Sequence, residues 1–600
     1  MTGRVTPYEL FAFCPRRNLG AHEEKMNIEV PEPIEKEAAE VNKYAIAQLE
    51  REKHVDAVLQ STSSRKIVVA GPGTGKTYLF KRILEGKKPT LTLTFVNSLV
   101  EDLSLDLCGI SAVKTLHGFA LGVIKAATKK SIKLFPKLEQ IIKEDAVILL
   151  DEAIDFDHLF HNRDDENTHI EFYKKRKDFY GYYGYADIVF AAVKYFEKRK
   201  DKIPTFQQVV VDELQDFNLL EVCLIDLLAE RSPVLLAGDD DQALYESLKS
   251  ASPQHIRQRH NEESFGYDAF CLPYCSRCTR VIVEAFNDTV TGASKDGHLN
   301  GRIGKPFKYF EDENKDRDCD ANPHLVYAQL FSRQIPWLIQ KCVEQVANEV
   351  RGKFSVLIIS PTRTQSRRIA AALKQKGFKN LLFVEKRDSD EPSLLDGLML
   401  LLENANCNLG WRVVAKELLS STEFEAVLKT TAEGEPKPVA NLVSNEVKKE
   451  VTRMLKVLSL VSKDKELPDE SAFADLLVKV GIDAHDMAKD FLKNEIDSRT
   501  LSNSNPAIRK IPITATTIQS SKGLAADYVF ITHFDDRYFI KDNDKSKIAD
   551  QDICNFLVAL TRARKKVFLI SSETTKTPAF LDWIDPERIQ HMKVKSKAMP

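Results

Sequence analysis

The sequence predicts an α/β protein with two parallel β-sheets, each interrupted by a mainly helical insertion. Seven short apolar runs, rich in β-branched residues and bounded by Gly, Pro or Asp, alternate with amphipathic stretches, as buried parallel strands and their crossover helices do. At 600 residues the chain is too long for one hydrophobic core and corresponds to about four domains. Repeats with a period of about 20 to 50 residues are absent from the sequence, which argues against a solenoid or a propeller.

The seven runs fall into two groups. The first, about Ile67 to Ala237, contains KIVVA, TLTLTF, VVVDE and PVLLAGDD, and the second, about Val356 to Ile570, contains VLIISP, DYVFIT and KKVFLI. Long amphipathic segments interrupt both groups. The predicted boundaries are 1–45 for an N-terminal extension, 46–120 and 205–274 for the first sheet domain, 121–204 for its insertion, 275–388 and 508–585 for the second sheet domain, 389–507 for its insertion, and 586–600 for a basic tail.

Composition restricts the class of protein. With 43% hydrophobic and 29% charged residues, the chain has an ordinary globular balance, which excludes disorder throughout. A net charge of -2 provides no global attraction to nucleic acid, so any such binding requires a local groove. Neither a membrane-length apolar run nor a secretory signal is seen, and ten dispersed cysteines do not indicate a disulfide framework. We therefore expect a soluble, cytoplasmic protein.

A glycine-rich segment follows the first apolar run. KIVVA leads through GPGTGKT into the helix-like TYLFKRIL, the order that a phosphate-binding loop requires. Backbone N–H groups of such a loop point at phosphate oxygens, Lys76 contacts the β and γ phosphates, and Thr77 binds Mg²⁺. Ala70 replaces the first glycine of the strict motif, so an ordinary Gly-rich turn is the alternative. The predicted nucleotide-binding residues are Gly71, Pro72, Gly73, Thr74, Gly75, Lys76 and Thr77.

A pair of carboxylates supplies the second half of this predicted site. The run VVVDELQD ends a buried strand in Asp212 and Glu213. A carboxylate beside the phosphate loop can hold Mg²⁺, and its neighbour can polarise the attacking water. Taken alone, DE after a strand is usually a solvated turn. Together with the loop upstream, it predicts hydrolysis of ATP or another nucleoside triphosphate with Mg²⁺.

Further motifs resemble those of superfamily 1 helicases of the UvrD/Rep/PcrA group, in family order over about residues 46 to 575. The similar strings are TFVN (94–97), TLHGF (115–119), DELQD (212–216), GDDDQALY (238–245), CSRCTRVIVEAFN (275–287), TIQSSKGLAADYVF (517–530) and VALTRARKKV (558–567). This resemblance implies two RecA-like motor domains. It also implies that Gln242 senses the γ-phosphate and that Arg277 and Arg562 reach the phosphates from the second sheet, where surface salt bridges are the alternative for both arginines.

The resemblance also places single-stranded DNA across the tops of both sheets. Phe95 is expected to stack on a base, although a phenylalanine at a strand end is more often part of a core. The string FYKKRKDFYGYYGY (172–185) interleaves basic and aromatic residues, which suits either a strand-binding surface or a helix with a tyrosine core. The predicted DNA-binding residues are Thr94, Phe95, Asn97, Thr115, His117 and Tyr245.

The chain departs from the family pattern at several positions. Ser247 stands where the family has a DNA-stacking Trp, Ala525 where it has a ribose-binding Glu, and Gln519 where it has His; no clear adenine-reading Gln is found, His54 being nearest by spacing. Weaker strand grip and loose preference for ATP are expected. A separate spacing, C-x₃-C-x₂-C at 271–278, is a weak indication of an iron–sulfur cluster or zinc.

These observations predict an ATP-dependent DNA helicase or translocase that moves 3′ to 5′ on single-stranded DNA or a tailed duplex, in repair, recombination or anti-phage defence. The alternative is a non-unwinding ATPase subunit that regulates or loads a partner such as a nuclease. A small-molecule kinase with the same loop is less consistent with two sheets and the arginine-bearing motifs. The segments outside the motor are too short for a nuclease core, so a separate partner would cut DNA.

Overall fold

The chain folds around two parallel β-sheets, and side chains of the two halves meet at a boundary that is here named the cleft. The computed structural model describes residues 32–94, 97–244, 250–350, 352–384, 391–461, 511–540, 547–572 and 576–593. Within these residues one sheet has six strands and the other seven, and helices cover both faces of each. The predicted α/β class with two parallel sheets is confirmed.

The first sheet, with its helices, forms the first lobe. Its order is β3-β2-β4-β5-β1-β6, and every pairing is parallel. The strands are β1 Arg65–Ala70, β2 Thr90–Thr94, β3 Ala112–Thr115, β4 Gln208–Val211, β5 Val234–Gly238 and β6 Asp268–Leu272. Its central strands are buried on both faces, which explains their continuous apolar sequences.

The second sheet, with its helices, forms the second lobe. Its order is β11-β12-β10-β13-β14-β9-β15, again parallel throughout, and a short β7-β8 pair lies beside it. The strands are β7 Tyr274–Cys275, β8 Lys308–Tyr309, β9 Leu325–Gln329, β10 Val356–Ser360, β11 Leu381–Phe383, β12 Ile513–Thr517, β13 Ala526–Thr532, β14 Ala563–Ser571 and β15 Ile589–Met592.

Two predicted boundaries need correction. The predicted tail 586–600 contains β15, which pairs with β9 and so belongs to the second sheet. The predicted extension 1–45 is not separate from the motor, because the Glu32–Gln60 helix runs through its end and its later turns pack beside β1 and β6. In the sequence, 586–600 lacks the apolar run that would predict a strand. The end of 1–45 lacks a turn signal that would mark a boundary.

The helices are divided among the two lobes and their two insertions. The insertion of the first lobe is here named the first arm, and that of the second lobe the second arm. In the first lobe they are Glu32–Gln60, Lys76–Leu84, Asn97–Asp106, Leu219–Ala229 and Gln254–Asn261, and in the second Arg280–Lys295, Glu313–Ala321, Ile335–Glu349, Arg363–Gln375, Asp536–Phe539 and Asp550–Leu560. The first arm comprises Leu116–Thr128, Leu138–Leu150, Phe156–His161, His169–Tyr180 and Tyr185–Lys198, and the second arm Leu394–Glu403, Asn408–Leu418, Ser421–Ala432, Val439–Leu442 and Asn445–Val461.

The two arms share one hydrophobic core. Side chains of the first arm, such as Ile141 and Tyr182, belong to the same buried cluster as Leu398 and Val414 of the second arm. The cluster continues onto one face of the first sheet, whereas separate clusters cover the two faces of the second sheet. The insertions are therefore packed as one body that is continuous with the first lobe.

Two negative findings concern the described residues. None of their helices is long and apolar enough to cross a lipid bilayer. Their nine cysteines are all free thiols.

A candidate nucleotide site between the two lobes

The glycine-rich segment forms a tight loop between β1 and the Lys76–Leu84 helix. Gly73 has φ of +69° and Gly75 has φ of +97°, backbone conformations that residues with a Cβ rarely adopt. The Thr74 hydroxyl donates to the Gly71 carbonyl at 2.9 Å and closes the loop on itself. Gly75 offers no side chain to cap the helix, so the first N–H groups of the helix remain available to an anion.

Side chains from elsewhere in the chain press against all three glycines of the loop. A Cβ added to any of the three would come within 3 Å of such a side chain, so a neighbour would have to shift, and at Gly73 and Gly75 the positive φ adds backbone strain. The second lobe contacts the loop further, since the Ser276 backbone N–H donates to the Gly73 carbonyl at 3.0 Å. The side chains nearest to an added Cβ are Phe307 for Gly71, at 2.9 Å, the Arg51 guanidinium for Gly75, at 2.8 Å, and the Arg277 Cβ for Gly73.

Charged groups of both lobes meet at the end of β4. The Lys76 ammonium lies 3.1 Å from a Glu213 carboxylate oxygen and 3.9 Å from Asp212. Lys522, from the second lobe, donates to Asp216 and lies 3.5 Å from Glu213. Glu213 is therefore held between two cations, one from each lobe.

Burial and charge act in opposite directions on the two neighbouring carboxyl groups. Burial raises the pKa of Glu213, but the ammonium groups of Lys76 and Lys522 more than offset this and place it below its ordinary value. At Asp212 burial prevails over the attraction of Lys76 and raises the pKa to about 6. Asp212 is thus a buried carboxyl group with too little positive charge beside it, which is what a cation-binding position requires.

The two predicted arginines lie at this cleft. The Arg562 guanidinium, 3% exposed, donates to the Gln242 side-chain oxygen at 3.1 Å across the lobe boundary. Burial, followed by the nearby charge of Arg277, lowers the pKa of Arg562 to about 9. Both causes, burial and the neighbouring positive charge, disfavour the charged guanidinium, so the cleft holds an excess of buried positive charge. The excess is relieved when an anion enters between the arginines and the loop.

These groups fit a nucleoside triphosphate with Mg²⁺. The loop offers N–H groups and Lys76 to phosphate oxygens, and the second lobe adds Arg277 and Arg562. Asp212, together with Thr77 at the start of the helix, supplies hard oxygen ligands of the kind that Mg²⁺ prefers. The structure brings together the residues predicted for nucleotide binding and hydrolysis.

The residues predicted to bind DNA are less clearly placed. Thr94, at the end of β2, is fully buried and its hydroxyl has no hydrogen-bond partner among the described residues. Thr115 caps the Leu116–Thr128 helix by accepting from the Gly118 N–H. His117 packs on Tyr185, with 4.8 Å between ring centroids. Phe95, Tyr245, Ser247 and the Asn97 side chain lie outside the described residues.

The string at 172–185 forms part of the first arm. Tyr173 and Tyr180 are buried in its core, whereas Lys174 and Lys175 are exposed. The helix with a tyrosine core, one of the two alternatives, matches this segment, although Tyr185 at its end is partly exposed beside His117.

The cysteines of the C-x₃-C-x₂-C spacing do not converge as metal ligands. The Cys278 N–H donates to the Cys275 sulfur at 3.5 Å, and both thiols are buried in the second lobe. Among the described residues, the acidic, cysteine or histidine side chains whose ligand atoms do converge are those of Asp239, Asp240 and Asp241.

Sequence reasoning missed two residues of the site. Lys522 bridges Glu213 and Asp216. It lies inside the string TIQSSKG, so this motif could have identified it. Arg51 lies against Gly75 and above the rings of Tyr78 and Phe310, 5.8 and 5.0 Å from their centroids. Its position in the middle of a long amphipathic helix carries no local signal.

Comparisons with known proteins agree with the sequence motifs. An AAA domain family model matches residues 54–248, which contain the loop, both carboxylates and Gln242. DNA helicase II of Escherichia coli (strain K12) is 25% identical over 230 residues, which are 38% of this chain and 28% of that protein. DNA helicase II of Salmonella typhimurium (strain LT2) gives the same identity and coverage. The chain thus matches little more than a quarter of the length of these relatives.

Proposed function

We propose that this chain is a UvrD/Rep-like superfamily 1 helicase that hydrolyses ATP in the cleft between its lobes and uses the cycle to move along single-stranded DNA. Movement from 3′ to 5′ and unwinding of a tailed duplex are parts of the proposal, as is a role in repair, recombination or anti-phage defence. DNA as the substrate follows the description of the relatives as DNA helicase II.

One observation carries the proposal. Arg277 and Arg562 belong to the second lobe, yet Arg277 abuts the phosphate loop and Arg562 binds Gln242 of the first lobe. Phosphoryl transfer spreads negative charge over the transferred group, and an arginine that meets this charge accelerates the reaction about 10³- to 10⁵-fold. Because the arginines and the loop lie on different lobes, hydrolysis depends on how closely the lobes approach, and this dependence can convert ATP turnover into movement.

Glu213 and Asp212 have different roles in the proposed reaction. In the arrangement described, Lys76 is paired with Glu213. Phosphate oxygens compete for Lys76, and when they take it Glu213 loses one of its two cations, so its pKa rises and it becomes a better acceptor for a water proton. Asp212 and Thr77 would hold Mg²⁺, which supplies positive charge to the phosphate oxygens.

The test is ATP turnover with and without single-stranded DNA and RNA. Lys76→Ala and Glu213→Gln should each abolish DNA-stimulated turnover in a folded protein, because they remove the phosphate contact and the base. Lys81→Ala is a matched control, since Lys81 lies on the same helix but pairs with Asp106 on the surface. Near-normal turnover in the first two variants would refute the assignment.

The arginines are tested by kinetics. Arg562→Ala should lower kcat much more than it raises KM for ATP, since charge develops mainly in the transition state. Equal losses in kcat and affinity would contradict the role of Arg562.

A second function, a non-unwinding ATPase that regulates or loads a partner such as a nuclease, is favoured by one observation. The two arms share a core and a buried ion network, so the second arm is not free to move without the first. Strand displacement on a 3′-tailed duplex separates the two functions, because the second predicts DNA-stimulated turnover without displacement.

A further inference from the structure

Three consecutive aspartates follow β5 and point at one lysine. Asp239, Asp240 and Asp241 are each at most 1% exposed. The ammonium of Lys305 lies 2.8, 2.5 and 2.8 Å from a carboxylate oxygen of each in turn, and its side chain is 4% exposed. The convergence of three carboxylates resembles a metal site, but a cation of this chain already occupies its centre.

Lys305 reaches the aspartates from the other lobe. It lies in residues 299–310, here named the strap, which follow the Arg280–Lys295 helix of the second lobe and include β8. Arg302 of the strap pairs with Asp241 at 2.7 Å, and Phe307 presses on Gly71 of the phosphate loop. The strap therefore touches the first lobe at both the aspartates and the loop.

One of the aspartates links Lys305 to the site of hydrolysis. Oδ1 of Asp239 faces Lys305, while Oδ2 accepts from the Gln242 amide at 2.5 Å. The oxygen of the same amide accepts from Arg562 at 3.1 Å. Asp239 thus determines which way the Gln242 amide faces, because its carboxylate can only accept and so selects the NH₂ side. The amide oxygen is then directed at Arg562.

We propose that Lys305 is a positioning residue for ATP hydrolysis, which holds Asp239 so that Gln242 and, through it, Arg562 are oriented toward the triphosphate. Lys305 touches neither nucleotide nor water in this role and acts through the contact chain Lys305, Asp239, Gln242, Arg562. The inference rests on the proposed ATP hydrolysis and adds a residue to it.

The charge of Lys305 is what the arrangement needs. Three carboxylates on adjacent residues repel one another at close range, and Asp239 has no other described cation within ion-pair distance. Asp240 is also paired with Arg257, and Asp241 with Arg302. Removal of the ammonium therefore leaves Asp239 as the one carboxylate of the three without a cation among the described residues. Its remaining side-chain partners are neutral donors, the Asp241 backbone N–H at 3.2 Å and the Gln242 amide, so we expect the carboxylate to shift and to misplace Gln242.

The experiment is a double-mutant cycle on DNA-stimulated ATP turnover. Lys305→Met should lower kcat about 10- to 100-fold with KM for ATP changed less than about 3-fold, since a small misplacement of a catalytic group has effects of this size. In a Gln242→Ala background the same substitution should cost less than about 3-fold, because the residue through which it acts is gone. Lys305→Arg should restore most of the turnover.

Two further variants control for structural damage. Arg257→Met removes a cation from the same cluster without touching Asp239, and it should change kcat less than about 3-fold. Asp239→Asn removes the other end of the Lys305 contact without leaving a carboxylate unpaired. It should show the kcat loss expected of Lys305→Met, and it tests the proposal even if Lys305→Met fails to fold. Thermal unfolding identifies misfolded variants.

Each result is decisive. Additive losses for Lys305→Met and Gln242→Ala, an equal loss in Arg257→Met, or full turnover in both Lys305→Met and Asp239→Asn would overturn the inference while leaving the proposed hydrolysis intact. A wild-type protein without DNA-stimulated turnover would overturn the proposed function and this inference with it. A non-additive kcat loss restored by arginine would support Lys305 as a positioning residue.

Discussion

Asp145 connects the two arms, and its neutralisation should loosen the second arm. The carboxylate is fully buried and accepts from Arg412 at 2.9 and 3.1 Å, from Arg176 at 2.7 and 2.9 Å, and from the Tyr180 hydroxyl at 2.5 Å. Asp145 and Arg176 belong to the first arm, and the fully buried Arg412 to the second. Asp145→Asn retains the shape of the side chain and removes its charge.

The expected loss follows from the charges that remain. Arg412 keeps Glu144, 3.0 Å away, whereas the partners that Arg176 keeps among the described residues are the uncharged hydroxyl groups of Tyr180 and Thr431. Breaking a buried ion pair by removing one partner costs about 3 to 5 kcal/mol, because the other charge stays buried and uncompensated. We expect a loss in this range, located at the contact between the arms.

Hydrogen exchange measures this loss locally, which a global unfolding curve of a multidomain chain does not. In Asp145→Asn, amides of the Asn408–Leu418 helix should exchange with an opening free energy lower by about 3 to 5 kcal/mol. Those of the Ile335–Glu349 helix in the second lobe should be unchanged. Asp165→Asn is the matched control: Asp165 also meets two cations, Arg163 at 2.8 Å and Lys194 at 2.5 Å, but it is about a quarter exposed and should cost less than about 1 kcal/mol.

The pH dependence has a definite sign. Burial raises the pKa of Asp145, but Arg412 and Arg176 more than offset this and hold it below its ordinary value. A depressed pKa contributes stability that is complete above the ordinary value of about 3.9 and is lost as the pH falls through the folded-state pKa. The gap between wild type and Asp145→Asn should be complete at pH 7 and shrink below about pH 4. A gap under about 1 kcal/mol at pH 7, or one that grows on acidification, would refute the reasoning.

Two other predictions concern the loop and the first arm. Gly73→Ala should lower kcat for ATP at least about 10-fold in a folded protein, because its Cβ would displace Arg277. Gly86→Ala is the control: Gly86 has φ of +74° and nothing within 4 Å of an added Cβ, so this variant introduces the backbone strain alone and should leave kcat unchanged. Burial raises the pKa of Asp187 to about 6, so the folded protein binds more protons than the unfolded chain between about pH 4 and 6, and this group lowers stability as the pH rises through that window. In hydrogen exchange of the Tyr185–Lys198 helix, the opening free energy of Asp187→Asn relative to wild type should therefore increase from pH 4 to 6 by up to about 3 kcal/mol, and a flat or falling difference would contradict the assigned pKa.

The sequence predicted the elements whose pattern is local. The continuous apolar runs form central strands in both sheets, because a strand that is buried on both faces needs apolar residues at successive positions. Edge strands such as β3, β11 and β15 were not predicted, because one side of an edge strand meets solvent or a loop and its sequence need not be apolar. In the first sheet the interior strands were therefore predicted and the edges were not, whereas in the second sheet the interior strands β9 (LVYAQ) and β12 (ITATT) were missed as well, because polar residues shorten their apolar runs.

The same distinction applies to the site. The phosphate loop and the carboxylates after β4 each lie in one short stretch with its own motif, and their pairing follows from the parallel sheet. Lys305 and Arg51 lie in stretches without a motif and reach the site only through packing of the strap and of the Glu32–Gln60 helix. Contacts that depend on how two distant segments pack leave no periodicity in either one.

The union of the arms constrains any motor cycle of this chain. The first arm is inserted in the first lobe and the second arm in the second lobe. The arms share an apolar core and a buried ion network of Asp145, Arg176 and Arg412. Opening of the cleft must then either bend the connections between the second arm and its lobe or expose the apolar core that the two arms share. Binding energy that acts only between the lobes, as at Arg562 and Gln242, favours the first course, since it leaves the arm contact intact. On this argument the arms move with the first lobe during turnover. Asp145→Asn, which breaks the arm contact and leaves the lobe contacts in place, should then change ATP turnover little.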